Sequence, residues 1–410
     1  MSVEKNVPEI RFKGFSGEWG ERRLGSLCLI GDIDHRMPES KTTGIPYLMT
    51  GDFYGINGLD FSRAKLISIE DYEQLSKKIK PEFGDILFAR YASVGAVRYV
   101  ETDTKFLISY SCAILKTNNT TYGKYLFYFF QTERTQGQLE LDINTGSQRN
   151  IGIDSLKSLL VVLPKPAEQA AIGTTFQKLD NLINQHQQKH DKLSNIKKAM
   201  LEKMFPKPGK TIPEVRFKGF SGEWEEKELG TDIADIIGGG TPSTSISKFW
   251  NGDIDWYSPT EIGSNVYAEG SQKKITTLGL NSSSAKILPA GNTVLFTSRA
   301  GIGDMAILTK PGSTNQGFQS FVVKEGFSPY FIYSAGKKIK EYALKHASGS
   351  TFLEISGKQL GLMKMLVPCE TEQTAIGNYF QKLDMLINQH QQQITKLNNI
   401  KQACLSKMFV

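Results

Sequence analysis

The sequence predicts a mixed α/β (α+β) architecture built twice: two globular heads in pseudo-twofold tandem repeat, separated by an antiparallel two-helix coiled coil. Three observations predict it. Residues 168–205, EQAAIGTTFQKLDNLINQHQQKHDKLSNIKKAMLEKMF, return almost letter for letter at 372–409 as EQTAIGNYFQKLDMLINQHQQQITKLNNIKQACLSKMF. The opening VPEIRFKGFSGEWGERRLG returns at 212–230 as IPEVRFKGFSGEWEEKELG. Between these repeated stretches the two copies differ in most letters yet keep a common skeleton of matching positions. The spans are 1–165 for the first head with its opening segment, 166–206 for the central helix, 207–369 for the second head and 370–410 for the C-terminal helix.

Each opening segment contains a proline, two glycine turn formers and one tryptophan, Trp19 or Trp224. That is the makeup of an irregular segment pinned by an aromatic anchor. Leu24 and Leu229 then begin a short amphipathic stretch. Within the heads, the runs DILFA, AVRYV and CAILK of the first copy and NTVLF, MAIL and QSFVV of the second are short, apolar or alternating, and bounded by Gly, Asp or Asn. They read as strands. Helices are expected at Ile69–Ile79, Tyr122–Gln138 and Pro329–His346. The skeleton matches IPYLMTGDF at Ile45 with IDWYSPTEI at Ile254, and FGDILFARYASVG at Phe83 with AGNTVLFTSRAGIG at Ala290.

In the repeated helical stretch, Ile172, Phe176, Leu179, Ile183, Leu193, Met200 and Met204 recur at steps of three and four, or multiples of them; Ile376, Phe380, Leu383, Ile387, Ile394, Leu397 and Met408 follow in the second copy. This is a coiled-coil seam. Each helix would be roughly 55 Å long, too long and too polar outside its stripe for a core helix. Two matching stripes pack most simply on each other, and Phe176, Leu179, Ile183, Phe380, Leu383 and Ile387 form the expected partner-binding face of the helices. The plainer alternative docks each stripe on its own head. His186 and His190, with His390 and Ile394 at the equivalent places, give the seam a polar centre that would fix register. No Cys or carboxylate completes a metal set there. The linker FPKPGKTIPEV, with two prolines and a glycine close together, ends the first helix and starts the second copy.

Composition bounds the function. The 410 residues are too many for one typical core, and 39% hydrophobic with 22% charged residues describes an ordinary water-soluble protein. The N-terminus lacks the apolar run of a signal peptide and no stretch approaches a membrane span, so a cytoplasmic location is expected. Cys28, Cys112, Cys369 and Cys404 are far apart, form no CxxC, and read as reduced thiols. The net charge of +7, from 49 basic and 42 acidic residues, is a mild excess compatible with a polyanionic partner.

Signs of catalysis are missing from the sequence: it contains no GxxxxGKS, GxGxxG, HExxH or GxSxG, and no Asn-Pro-Pro-aromatic tetrad. The carboxylate pairs Asp32 with Asp34 and Asp253 with Asp255 sit beside strands, where turns account for them. Metal ligands are not indicated. The strand ends instead carry Arg36, Arg90, Tyr91, Gln148 and Arg149 in the first copy, and Thr241, Ser243, Thr244, Trp250, Tyr257, Arg299, Gln316, Ser350 and Thr351 in the second. Arg and Gln side chains match the edges of guanine and adenine in the major groove, while hydroxyls suit phosphates. These are the candidate DNA-binding residues.

The opening RFKGFSGEW, the GGTPST at Gly239 followed by FWNGDIDWYSP, the SRAGIG at Ser298 and the EQxAIGxxFxKLDxLIxxH at the head of each helix together resemble the specificity (S) subunit of type I restriction-modification systems. The resemblance covers nearly the whole chain. It departs in the first copy, where FARYASVG places Arg90 one position before the Arg of the family's SRxGxxG pattern. The resemblance implies two target-recognition domains that each grip part of a split site in double-stranded DNA, and a helix pair that sets the unread gap. It implies a non-catalytic chain that binds no cofactor itself. Two adenine-N6 methyltransferase (M) subunits using S-adenosylmethionine would dock on it, and restriction (R) subunits using ATP and Mg would complete the nuclease. The competing reading is a non-enzymatic coiled-coil scaffold whose heads bind proteins and make no DNA contact.

Overall fold

The computed structural model describes residues 6–144, 149–263, 265–299, 301–349 and 353–410. The chain divides into two units, Met1–Gln187 with Gln392–Val410, and Gln188–Gln391. The long helices run over Pro166–Lys203 and Glu370–Lys407, so each unit holds one head and part of both helices.

The first head is built on a four-stranded antiparallel sheet in the order Cys28–Gly31, Cys112–Thr117, Ile86–Ala89, Val97–Tyr99. Side chains alternate across a strand, and here both faces are covered. Ile86 and Phe88 face helix residues such as Leu126 and Phe130, while Leu87 faces a second core with Tyr47, Leu48 and Ile108. That second core comes from a small sheet of Lys65–Ile67, Ile45–Leu48 and Leu107–Ile108, the last pairing parallel. Burial on both faces explains the unbroken apolar run ILFA.

The second head repeats the plan. Its main sheet runs Ala234–Gly238, Gln319–Val323, Thr293–Phe296, Met305–Leu308, with Tyr267–Ala268 added in parallel at the edge. Its small sheet is Lys273–Ile275, Trp250–Tyr257 and Gly312–Thr314, again with one parallel pairing. All six runs read as strands in the sequence lie in these main sheets. In each head a further pair, Gly20–Arg23 with Leu160–Leu163 or Glu225–Glu228 with Lys364–Val367, brings the opening segment beside the strand that leads into a long helix. Trp19 and Trp224 are both buried anchors.

The helices of the heads are shorter than their periodicity predicts. The stretch expected at Tyr122–Gln138 is two helices, Gly123–Phe129 and Glu133–Leu141, because Thr132 is extended and its hydroxyl accepts from Thr135 N at 3.2 Å as an N-cap. Pro329–His346 is likewise broken at Ala335 into Pro329–Ser334 and Gly336–His346. The helix begun at Ile69 stops at Leu75.

The repeated letters of the long helices have repeated jobs. In the first unit Glu168 accepts from Arg11 Nε at 2.7 Å and Nη2 at 2.8 Å; in the second, Glu372 accepts from Arg216 at 2.7 and 2.6 Å. Gln169 and Gln373 each donate to the carbonyl of the proline five residues earlier, at 2.8 and 2.9 Å, and accept a backbone amide of the head, from Tyr122 or Ser328. Gly173 and Gly377 let the helix approach the head: a Cβ at Gly173 would lie 2.8 Å from the Tyr122 ring, and one at Gly377 2.9 Å from Ser328 Oγ. Asp180 accepts from Tyr128 Oη at 2.8 Å and meets Lys401 Nζ at 2.7 Å; Asp384 accepts from Tyr330 Oη at 2.7 Å and is ion-paired with Lys197. Orphan carbonyls at the helix C-termini are met by Ile10 N on Lys407 O at 3.0 Å and Val215 N on Lys203 O at 2.9 Å.

Within each unit the helix parts run antiparallel. In the first, Asp180 pairs with Lys401 while Phe176 meets Phe409; in the second, Asp384 pairs with Lys197 while Phe380 meets Phe205. The stripe is shared between the facing helix and the head, for Phe176 also lies 5.1 Å from the Tyr128 ring. This corrects the expected partner-binding face. Phe176, Ile183, Phe380 and Leu383 are buried and Leu179 packs on the first core, while Ile387 is half-buried. These side chains hold the chain's own fold.

His190 bonds to the adjacent Asp191 at 3.0 Å. All four cysteines are free, Cys28 and Cys112 inside the first head, where burial pushes both thiols up to about 12. Among the described residues no helix is long and apolar enough to cross a membrane.

Candidate nucleic-acid interface

At one edge of each head the loops that follow or precede the strands are tied to one another by equivalent backbone bonds. In the second head Ser298 N donates to Gly317 O at 2.8 Å, Ile355 N to Ser298 O at 3.1 Å and Asn315 N to Tyr257 O at 3.0 Å. In the first, Arg90 N donates to Ser111 O at 2.8 Å, Ile151 N to Arg90 O at 3.1 Å and Ser109 N to Leu48 O at 2.8 Å. A carboxylate closes the turn after the small-sheet strand in both: Asp52 accepts from Met49 N at 2.7 Å, Glu261 from Ser258 N at 2.9 Å. The scaffold of the edge is the same while its side chains differ.

The second head places most of its predicted residues together there. Thr241 donates to Gln316, both exposed, and Ser243 Oγ lies 2.9 Å from Ser245 Oγ beside exposed Thr244. Trp250 is half-buried and pins this loop, donating Nε1 to Ser243 O at 3.1 Å and meeting Trp256 edge-on at 5.1 Å. Arg299 is one-third exposed with Glu354 3.9 Å away. Tyr257 is different. It is 2% exposed under the loops, and burial pushes its phenol up to about 12. It supports the edge from below and offers nothing to a ligand.

In the first head Tyr91 is half-buried at the edge, and exposed Arg149 is ion-paired with Glu140. Arg36 is exposed but held by Asp71 at 2.6 Å and Gln74 at 3.0 Å. Arg90 corrects the expectation: it is 6% exposed, donates Nε to Ile151 O at 3.0 Å and is ion-paired with Asp32. A charge buried without such partners would be costly, so this guanidinium is committed inside the head. Gln148, Ser350 and Thr351 lie outside the described residues.

Asp32, read as a turn residue, is instead the centre of an ion cluster, accepting from His35 Nε2 at 2.9 Å and Lys78 at 3.1 Å as well as Arg90. Burial opposes its charge, but the hydrogen bonds from His35 and Lys78 and the charge of Arg90 outweigh it and hold the carboxyl below its usual range. The ring of His35 stacks on Tyr110 at 4.9 Å. Nothing in the local sequence pairs residues so far apart, and only the matching of the two heads' loops would have pointed to them.

The architecture is that of known proteins. A model of the type I restriction modification DNA specificity domain matches residues 16–195 and again 221–399. The chain belongs to this family. Its two specificity domains are the two copies found in the sequence. It is 33% identical over 192 residues to the type I restriction enzyme MjaIX specificity subunit of Methanocaldococcus jannaschii, a match over 46% of this chain and 44% of that one, so it spans less than half of that relative. The EcoR124I/EcoR124II specificity subunit of Escherichia coli is 34% identical over 41% of this chain and 42% of its own. A longer match, 25% identical over 84% of this chain and 82% of the other, is to the putative MjaX specificity subunit of M. jannaschii. The crystal structure of the type I restriction-modification S subunit from M. genitalium superposes over 98% of this chain and 99% of its own, with a TM-score of 0.68 at 17% identity. That shows the same fold, mixed α/β heads with a helix pair.

Proposed function

We propose that this chain reads a two-part site in double-stranded DNA, one part with each head, and carries methyltransferase subunits to it without performing chemistry itself. The observation that carries the reading is the pair of loop edges: the same backbone bonds hold them in both heads, while the side chains they present have diverged. Such an edge suits readers of different sequences. The polar and aromatic set at Thr241, Thr244, Trp250, Arg299 and Gln316, with Tyr91 and Arg149 in the first head, supplies both phosphate and base-edge chemistry.

The helices support two further parts of the proposal. Their exposed residues Lys178, Asn184, Gln185 and Gln188 are identical to Lys382, Asn388, Gln389 and Gln392. Packing gives no reason for that identity, whereas docking the same partner surface twice does. We assign these positions to two M subunits, which use S-adenosylmethionine, with R subunits that use ATP and Mg joining the full complex. Each helix is continuous over 38 residues, about 57 Å, and passes from one unit into the other, as a spacer that sets the gap requires. The site of action is the cytoplasm.

Arg299→Ala tests the reading. In the complex with M subunits it should lower affinity for the specific site by about 1–3 kcal/mol while leaving non-specific binding nearly unchanged, measured by titration of labelled duplexes over a range of salt. Equal loss on all sequences with a shallower salt slope would make Arg299 a phosphate contact. Absence of any sequence preference in the unaltered complex would refute DNA reading.

A further inference from the structure

The two heads can be matched bond by bond at the loop after the strands Ile86–Ala89 and Thr293–Phe296. The backbone of Arg90 gives its amide to Ser111 and takes that of Ile151; the backbone of Ser298 gives its amide to Gly317 and takes that of Ile355. Arg90 is therefore the counterpart of buried Ser298. One residue on, Tyr91 forms a bridge with Asn150 and Arg299 with Glu354, and those partners in turn bridge Asn144 and Ser348. Both turns close on a glycine at positive φ, Gly95 at 91° and Gly303 at 98°, whose amides donate to Ala89 O at 3.1 Å and Thr297 O at 2.9 Å. The one-residue offset of the two arginines in the sequence is thus an exchange of roles. The side chain that leaves the backbone where Arg299 does is Tyr91.

Resting on the DNA-reading proposal, we infer that positions 91 and 299 are one reading position carried on two heads, and that Tyr91 determines specificity at one base pair of the first half-site. The chemistry differs between the two. A guanidinium offers a fork of donors that fits the two acceptors of guanine in the major groove. A tyrosine offers one hydroxyl and an apolar ring, which suits a thymine methyl or a single acceptor and gives guanine no advantage. Arg90 steadies the position from beneath: its guanidinium carbon lies 5.5 Å from the Tyr91 ring centroid and is itself fixed by Asp32 and the Ile151 carbonyl. Tyr91 is half-buried against that support, which limits the directions its hydroxyl can take. In the second head the corresponding place beneath is filled by a serine, leaving the longer Arg299 side chain as the one that extends.

The experiment is selection from a duplex library randomised over both half-sites by the full chain assembled with its M subunits, using the unaltered chain and the Tyr91→Arg, Tyr91→Ala and Arg299→Tyr variants. Tyr91→Arg should shift the preference at one base pair of the first half-site toward guanine by about tenfold or more, Tyr91→Ala should flatten the preference at that same base pair, and Arg299→Tyr should abolish a guanine preference at one base pair of the second half-site. All other positions and the gap should stay as they are. Base preferences unchanged within about twofold in both Tyr91 variants would overturn the inference, as would an even loss over all sequences in a complex that melts at the unaltered temperature. If the unaltered complex itself selects no sequence, it is the DNA-reading proposal that fails, and the selection separates that case from the others.

Discussion

Lys401→Ala should destabilise the first unit by about 3–5 kcal/mol, the cost of leaving one member of a buried ion pair behind. The side chains of Lys401 and Asp180 are each 7% exposed, and their charged atoms are 2.7 Å apart. Without the ammonium, the Asp180 carboxylate keeps the Tyr128 hydroxyl, which donates to it at 2.8 Å, a neutral group against a full buried charge. Gln131 also loses the bond that Lys401 makes to it at 3.1 Å. Combining Lys401→Met with Asp180→Asn should restore more than half of the lost stability, since the amide oxygen still accepts from Tyr128 and no charge remains buried. Urea titrations of the unaltered chain, the single variant and the double variant measure both figures. The equivalent Lys197→Ala should cost less, because Lys197 is 24% and Asp384 10% exposed. Equal and small losses at both sites would mean that these pairs do not hold the two helices together.

Adding one heptad of seam pattern to each long helix, near His190 and near Ile394, should lengthen the preferred gap by about three base pairs. Seven residues at 1.5 Å add about 10 Å, and a base step is about 3.4 Å. The heptad keeps the same helix faces inward and turns the following head only slightly. Three base pairs, however, turn the duplex by about 100° at 10 to 10.5 base pairs per turn. The lengthened complex should therefore bind more weakly than the parent even at its best gap. Binding to duplexes that differ only in gap length reads both effects, and an unchanged optimum in a folded variant would take the spacing role from the helices.

Much of this was legible in the chain because it is written twice. The repeat exposed the long helices, the opening segments and the shared skeleton, and two-sided burial made ILFA and TVLF conspicuous as strands. Periodicity failed where a single cap overrode it, at Thr132, and where the chain breaks at Ala335. The stripe Phe176–Leu179–Ile183 showed that a face is buried without showing against what, and it is divided between the opposite helix and the head. The same holds for charge. Arg90 and Arg299 look alike in the sequence, but one is buried against Asp32 and the other reaches the edge, a distinction made by contacts between residues 58 positions apart. The letters common to both copies, Glu168 with Arg11 and Asp180 with Lys401, carried the clearest unread signal: identity kept across a divergent repeat marked the residues that fasten helix to head and helix to helix.

We propose that two heads on a helical spacer direct methylation to a split site. Mapping methylated adenines in cells that carry this chain with its M subunit, and in the same cells with the chain deleted, tests it most directly. The expected result is one motif of two short specified parts separated by a gap of fixed length, with methylation there lost on deletion. Methylation that persists without the chain, or that follows a continuous motif with no gap, would contradict the account.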